Sequence, residues 1–175
     1  MLWHALLLFQ LQQPTIINKP LPVKKRQRDT TKNYIVLHYD DGNSYKATRR
    51  TLIRHGNSYH YFIHRDGSIV RLLDPKYEAG HAGISYYNGM FRMNHYSIAI
   101  CLQNDSKQLY SEKQYENLAW LIKEIQKRYT DSTAQVVIGH SDIAIPRGRK
   151  IDPGEHFDWI KLNELLRKYD NAINR

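Results

Sequence analysis

The chain has 175 residues, 41% of them apolar, which suits one domain with a buried core and excludes a disordered polymer. Its formal net charge of +9 favours an anionic partner, but Lys19, Lys24, Lys25, Arg26 and Arg28 oppose Asp29 alone near the start, so the body is only mildly basic. There is no zinc finger, basic heptad helix or interleaved RNA-binding aromatic motif, so nucleic acid is not an expected partner. The lone Cys101 rules out an internal disulfide.

The opening run from Met1 to Leu11 is apolar but too short to span a bilayer, and it lacks the basic start and cleavage site of an export signal. A truncated export signal, an interfacial anchor and a helix packed on the domain all stay open. Pro14 to Thr31, with three prolines and the basic cluster, reads as a linker. The expected organisation is an apolar segment and linker over 1–30, a domain over 31–170 and a tail over 171–175.

Asn33 to Tyr39 is rich in β-branched and aromatic residues and predicts a strand, closed by a turn at Asp40 to Ser44. Residues 45 to 55 predict a short helix. Ser58 to His64 and Ile69 to Leu73 predict an antiparallel pair joined by the turn Arg65-Asp66-Gly67-Ser68. Asp74 to Asn94 loses all periodicity, and a long irregular segment inside a domain is commonly functional. Tyr96 to Leu102 predicts a buried strand containing Cys101.

Ser111 and Gln114 carry the spacing of a capping box, and the helix behind them should run to Tyr129. Gln135 to Ile138 predicts a strand ending at Gly139-His140. His156 to Tyr169 predicts a last helix burying Trp159, Ile160, Leu162 and one of Leu165 and Leu166. The order favours an α/β class: a single domain with a mixed central β-sheet flanked by helices.

His38 and His140 both stand at ends of apolar strands. Asp152 lies twelve residues past His140, and Pro146 and Gly148 can turn it back. Two imidazoles and a carboxylate match a catalytic zinc site that keeps one position for water. The alternative is a hydrogen-bonded strand-end histidine and an aspartate capping the turn before Pro153.

Five stretches carry a more specific signal. They are Tyr34 to His38, Tyr59 to Gly67, Ala79 to Gly83, Asn94 to Leu102, and Gly139 through Lys150 to Gly154. In this order, over residues 30 to 168, the chain resembles the zinc-dependent N-acetylmuramoyl-L-alanine amidases, the family that includes phage amidase lysozymes and peptidoglycan recognition proteins. The resemblance implies that family's fold, Zn²⁺ held by His38, His140 and Asp152, and Lys150 stabilising the oxyanion. It implies that Tyr59 binds or activates substrate or water. It also implies that His81 and Asn94 face the substrate groove.

Two departures stand out. Many bacterial members place a glutamate, proposed as general base, where this chain has Cys101. Phage-type members share the cysteine but take a cysteine as third ligand, so Asp152 makes the set a hybrid. The loop from His140 to Lys150 is also longer than in the usual bacterial members.

The expected activity is hydrolysis of the amide between N-acetylmuramic acid and L-alanine. The expected partners are peptidoglycan or muropeptide fragments, and the alternative is a muropeptide-binding protein with little turnover. Tyr59 acting through water is the first candidate for proton transfer, ahead of Glu78. A monomer is expected, with residues 1–30 able to contact a membrane or wall, and an envelope or exported location favoured over the cytoplasm.

Overall fold

The computed structural model describes residues 13–42 and 44–173. The apolar run from Met1 to Leu11 lies outside them. The strand expected at the first β-branched run forms as β2 (Tyr34–Tyr39). It is followed by α1 (Tyr45–His55), which ends on Gly56 in the left-handed region at φ 65°, a conformation that glycine adopts without a Cβ penalty.

The turn at Arg65 to Ser68 joins β3 (Tyr61–Ile63) to β4 (Ile69–Arg71) in antiparallel register. β3 is shorter than Ser58 to His64, yet its hydrogen bonding continues upstream: His60 N–H donates to Ala99 O at 3.0 Å and Leu72 N–H to His60 O at 2.8 Å. The buried run ending in Leu102 forms β7 (Ser97–Leu102), and the last short strand is β8 (Val137–Gly139). Before β8 a 3-10 turn (Ser132–Gln135), capped by the Asp131 side chain, takes the start of the strand expected from Gln135.

Two elements differ more from expectation. Pro14 to Thr31, read as a linker, contributes β1 (Ile16–Asn18), which pairs in parallel with β4. In the same stretch Leu21 is buried, and so is Arg28, whose guanidinium donates to Pro75 O and Asn33 Oδ1, both at 2.7 Å. A buried cation held by oxygens belongs to the folded body and not to a solvated linker. Inside the irregular 74–94 segment, β5 (Tyr86–Tyr87) and β6 (Met90–Phe91) form a small hairpin over Asn88 and Gly89.

The main sheet runs β1-β4-β3-β7-β2-β8, mixed because only β3 and β4 pair antiparallel. Alternation along β2 sends Ile35 and Leu37 to one face, where α2 (Glu112–Arg128) supplies Tyr115, Leu118 and Ile122. The expected capping box at Ser111 and Gln114 forms, stabilising the start of α2 by about 1 kcal/mol. α4 (Trp159–Ile173) packs against the same core through Leu162, Leu165 and Leu166. It begins later than predicted, and in that register Ile160 points to solvent at 71% exposure.

The opposite face of β2 carries Tyr34, Val36 and His38. There the 80s segment supplies Ala82, and Met93, Ile138 and Ile143 close the packing. α1 covers the neighbouring part through Leu52, which clusters with Phe62 and Cys101. One face of the sheet is therefore sealed by two long helices, and the other lies under a short helix and loops. No helix among the described residues is long and apolar enough to cross a membrane.

Candidate metal centre and cleft

His38 sits near the C-terminal end of β2, on the loop-covered face. His140 follows β8 directly and opens the single turn α3 (His140–Ile143). Parallel β2 and β8 are neighbours, so both imidazoles emerge at one strand-end edge, where open α/β sheets bind their ligands. Asp152 is brought back to the same point because Ser141 N–H donates to its carbonyl at 3.0 Å. Gly139 permits the approach: a Cβ there would meet Pro153 Cδ at 2.8 Å.

The three side chains are buried, and their donor atoms lie within 4.8 Å of one another, a group that can hold a metal ion. Asp152 Oδ2 is 2.8 Å from His38 Nδ1 and 3.0 Å from His140 Nδ1. The other nitrogen of each ring is also engaged: His140 Nε2 lies 3.1 Å from Ala82 O, and His38 Nε2 lies 2.9 Å from His81 Nδ1.

The chemistry of this donor set fits a cation. A carbonyl only accepts, so a neutral His140 keeps its proton on Nε2 and turns a bare Nδ1 to the carboxylate. Burial lowers the pKa of His38 to about 4, so at neutral pH it has one proton for two partners. A bare nitrogen cannot neutralise an ionised, buried carboxylate, whereas a divalent ion can. Two imidazoles and one carboxylate are a borderline-soft set of that kind.

Two of the triad residues, His140 and Asp152, line a cleft of about 450 Å³ together with Tyr39, Asp40, Tyr59, His81 and Lys150. Lys150 is exposed, and its charge contributes to lowering the pKa of His38. The Tyr59 ring packs on His38 with centroids 5.1 Å apart, and its hydroxyl hydrogen-bonds with the Cys101 thiol. Burial raises the pKa of Tyr59 well above 10, so the hydroxyl keeps its proton and can donate a hydrogen bond. Glu78 faces His95 at 3.4 Å and does not line the cleft.

His81 borders the cleft with both ring nitrogens taken, Nδ1 by His38 and Nε2 by Ser97 Oγ at 3.1 Å. Burial first, then the positive charge of nearby groups, holds its pKa well below 6.5. Asn94 lines an adjoining cavity of about 250 Å³. Its Oδ1 accepts the backbone N–H groups of His81 at 3.0 Å and Ala82 at 2.7 Å.

Among the cleft residues that escaped the sequence reading, Asp40 and Arg149 stand out. Asp40, read as a turn residue, lines the cleft and accepts from Thr48 Oγ1 at 2.6 Å and Asn104 N at 3.0 Å. Its place two residues past His38, at the end of the strand, was the available signal. Arg149 lashes the long loop to the opposite wall by donating to Ala82 O at 3.0 Å and Ile84 O at 2.7 Å. Nothing in a run of four basic and small residues distinguishes it.

The sequence profile of the N-acetylmuramoyl-L-alanine amidase family matches residues 28–155, which include the whole triad. The chain belongs to this family. It is 40% identical over 111 residues to the 1,6-anhydro-N-acetylmuramyl-L-alanine amidase AmpD of Escherichia coli K12, a match covering 63% of this chain and 59% of that protein. The chain thus spans less than two thirds of the length of that relative.

The family fold is shared as well. A crystal structure of an AmpD derivative superposes with a TM-score of 0.72 at 28% identity, covering 89% of this chain and 96% of that one. AmpDH3 from Pseudomonas aeruginosa, solved in complex with an anhydromuramic pentapeptide, gives a TM-score of 0.69 at 29% identity over 84% of this chain and 63% of that one.

Proposed function

We propose that the protein is a zinc-dependent amidase that cleaves the bond between N-acetylmuramic acid and L-alanine in peptidoglycan or its muropeptide fragments. The observation that carries this reading is the meeting of His38 Nδ1, His140 Nδ1 and Asp152 Oδ2 beside a cleft that His140 and Asp152 line. Membership of the amidase family and the muropeptide bound by the similar AmpDH3 structure support it.

His38, His140 and Asp152 would hold the metal. When bound, Zn²⁺ supplies a Lewis acid for the scissile carbonyl and lowers the pKa of water. The Lys150 ammonium at the cleft wall would steady the oxyanion that develops on that carbonyl. Tyr59, packed on His38 and keeping its proton, would orient water or substrate as a donor. Asn94 and the edge of His81 would shape the groove for the stem peptide or sugar.

The second reading, a muropeptide-binding protein with little turnover, is favoured by one observation. Cys101 occupies the strand position beside His38, and burial raises its pKa well above the usual thiol value, so no carboxylate base stands there. Incubation of zinc-loaded protein with defined muropeptides separates the two. Mass spectrometry should detect free stem peptide from the wild type and none from His38→Ala. Muropeptide binding without product would establish the second reading.

A further inference from the structure

Behind the triad runs a chain of hydrogen bonds whose direction follows from which atoms carry protons. Ser97 is fully buried, and its Oγ lies 2.5 Å from Met93 O. A carbonyl has no proton, so the serine hydroxyl donates there. The Ser97 oxygen is then left to accept, and its partner at 3.1 Å is His81 Nε2–H. A neutral His81 is thus bare at Nδ1 and accepts at 2.9 Å from His38 Nε2–H. His38 is left with the lone pair of Nδ1 directed at Asp152 Oδ2 and the centre of the triad.

His140 is oriented from the same short segment. Its Nε2–H donates to the carbonyl of Ala82, the residue after His81. The pair is clamped from behind by Asn94 Oδ1, which accepts both backbone N–H groups. One dipeptide, His81-Ala82, therefore supplies the outer partner of both imidazoles, through a ring on one side and a carbonyl on the other.

We propose that His81 is a positioning residue of the metal centre: relayed through Ser97 to the Met93 carbonyl, it holds His38 as the tautomer protonated on Nε2 and aims Nδ1 at the ion. This rests on the metal-amidase reading above and deepens it. Partners of this kind fix ring orientation and ligand basicity, and losing one typically costs about 10–100-fold in metal affinity. A histidine that served only to touch substrate would keep a nitrogen free for it, and His81 has none.

The test measures zinc affinity of the full chain by competition with a chromogenic chelator, without substrate. His81→Leu removes the acceptor at similar bulk and should weaken zinc binding by about 10–100-fold. His81→Asn returns an amide oxygen near the position of Nδ1 and should recover much of that loss. Ser97→Ala, which frees the relay to reverse, should weaken binding in the same direction by less.

Wild-type affinity in a folded His81→Leu protein overturns the proposal. Failure of the wild type itself to bind zinc removes the metal reading instead, so the two failures are distinct. If His81→Leu does not fold, ¹⁵N spectra of the zinc-loaded wild type decide. A through-hydrogen-bond coupling between His38 Nε2 and His81 Nδ1 supports the relay, and metal ligation through His38 Nε2 overturns it.

Discussion

Cys101 stands beside His38 as its in-register partner on the neighbouring parallel strand, so the thiol lies on the same face of the sheet as the imidazole. Its place is central, but its chemistry is muted. Burial keeps the thiol protonated, and its contacts are the Tyr59 hydroxyl and the Leu102 carbonyl at 3.9 Å. Cys101→Ala is expected to leave muropeptide turnover unchanged. Tyr59→Phe should lower kcat about tenfold, the size of one lost hydrogen bond. A large loss in Cys101→Ala with an intact Tyr59→Phe would show that the thiol, and not the phenol, takes part in the reaction.

The triad and Lys150 should separate into two behaviours. His38→Ala and Asp152→Ala each remove a donor atom from the set within 4.8 Å, so both should lose zinc and turnover together, as read by metal analysis and product release. Lys150 is exposed at the cleft wall and donates nothing to the triad. Lys150→Ala should keep full metal content while kcat falls on the order of 10²-fold, as for other oxyanion donors. Full zinc occupancy in both triad variants would refute the ligand assignment.

The elements that sequence alone exposed are those where local pattern and tertiary demand coincide. The apolar run ending in His38 and the Ser111–Gln114 spacing each announced an element that formed. Asn88-Gly89 was an equally local hairpin signal, with both residues at positive φ, 46° and 84°. The flanking strands have two residues each, too short to show the alternation that would mark them in the sequence.

β1 was hidden for a different reason. Its three residues pair with β4 across 53 positions, a contact no window of the chain contains, and the prolines and lysines around it look like solvent-facing linker. The candidate metal donors were legible as residue types at strand ends. Their outer partners were not, because the His81 ring and the Ala82 carbonyl gain meaning only from where the fold places them.

Gly139 offers a test of how the carboxylate is delivered. Its φ is −82°, so backbone conformation alone would allow any residue. Space does not: an added Cβ meets Pro153 Cδ at 2.8 Å and Ser141 Oγ at 3.0 Å. The proline ring cannot swing aside as a flexible side chain would, so Gly139→Ala must push Asp152-Pro153 away from His140. Overpacking of this kind destabilises by about 1–3 kcal/mol, and zinc affinity should fall with it. Thermal unfolding with and without zinc reads both effects, and a variant that kept full affinity would show that the 152–153 turn is not held by this contact.

Acid sensitivity should trace in part to His60, a residue outside the metal centre. It is fully buried: Nδ1 accepts the Ala99 N–H at 2.9 Å, and Nε2 donates to Tyr77 O at 2.9 Å. Burial lowers its pKa from 6.5 to about 3, with the Tyr77 carbonyl opposing and the Arg28 charge assisting. The folded state therefore binds this proton less readily than the unfolded chain. The stabilisation is complete above pH 6.5 and declines as pH falls towards about 3, at a slope of about 1.4 kcal/mol per pH unit. His60→Asn keeps an oxygen to accept from Ala99 but cannot titrate, so it should lose stability at neutral pH and show a shallower fall below pH 6. Urea unfolding of the metal-free proteins between pH 7.5 and 4.5 gives the difference directly. Equal slopes for the two proteins would mean that His60 is not the buried histidine whose protonation opens the fold.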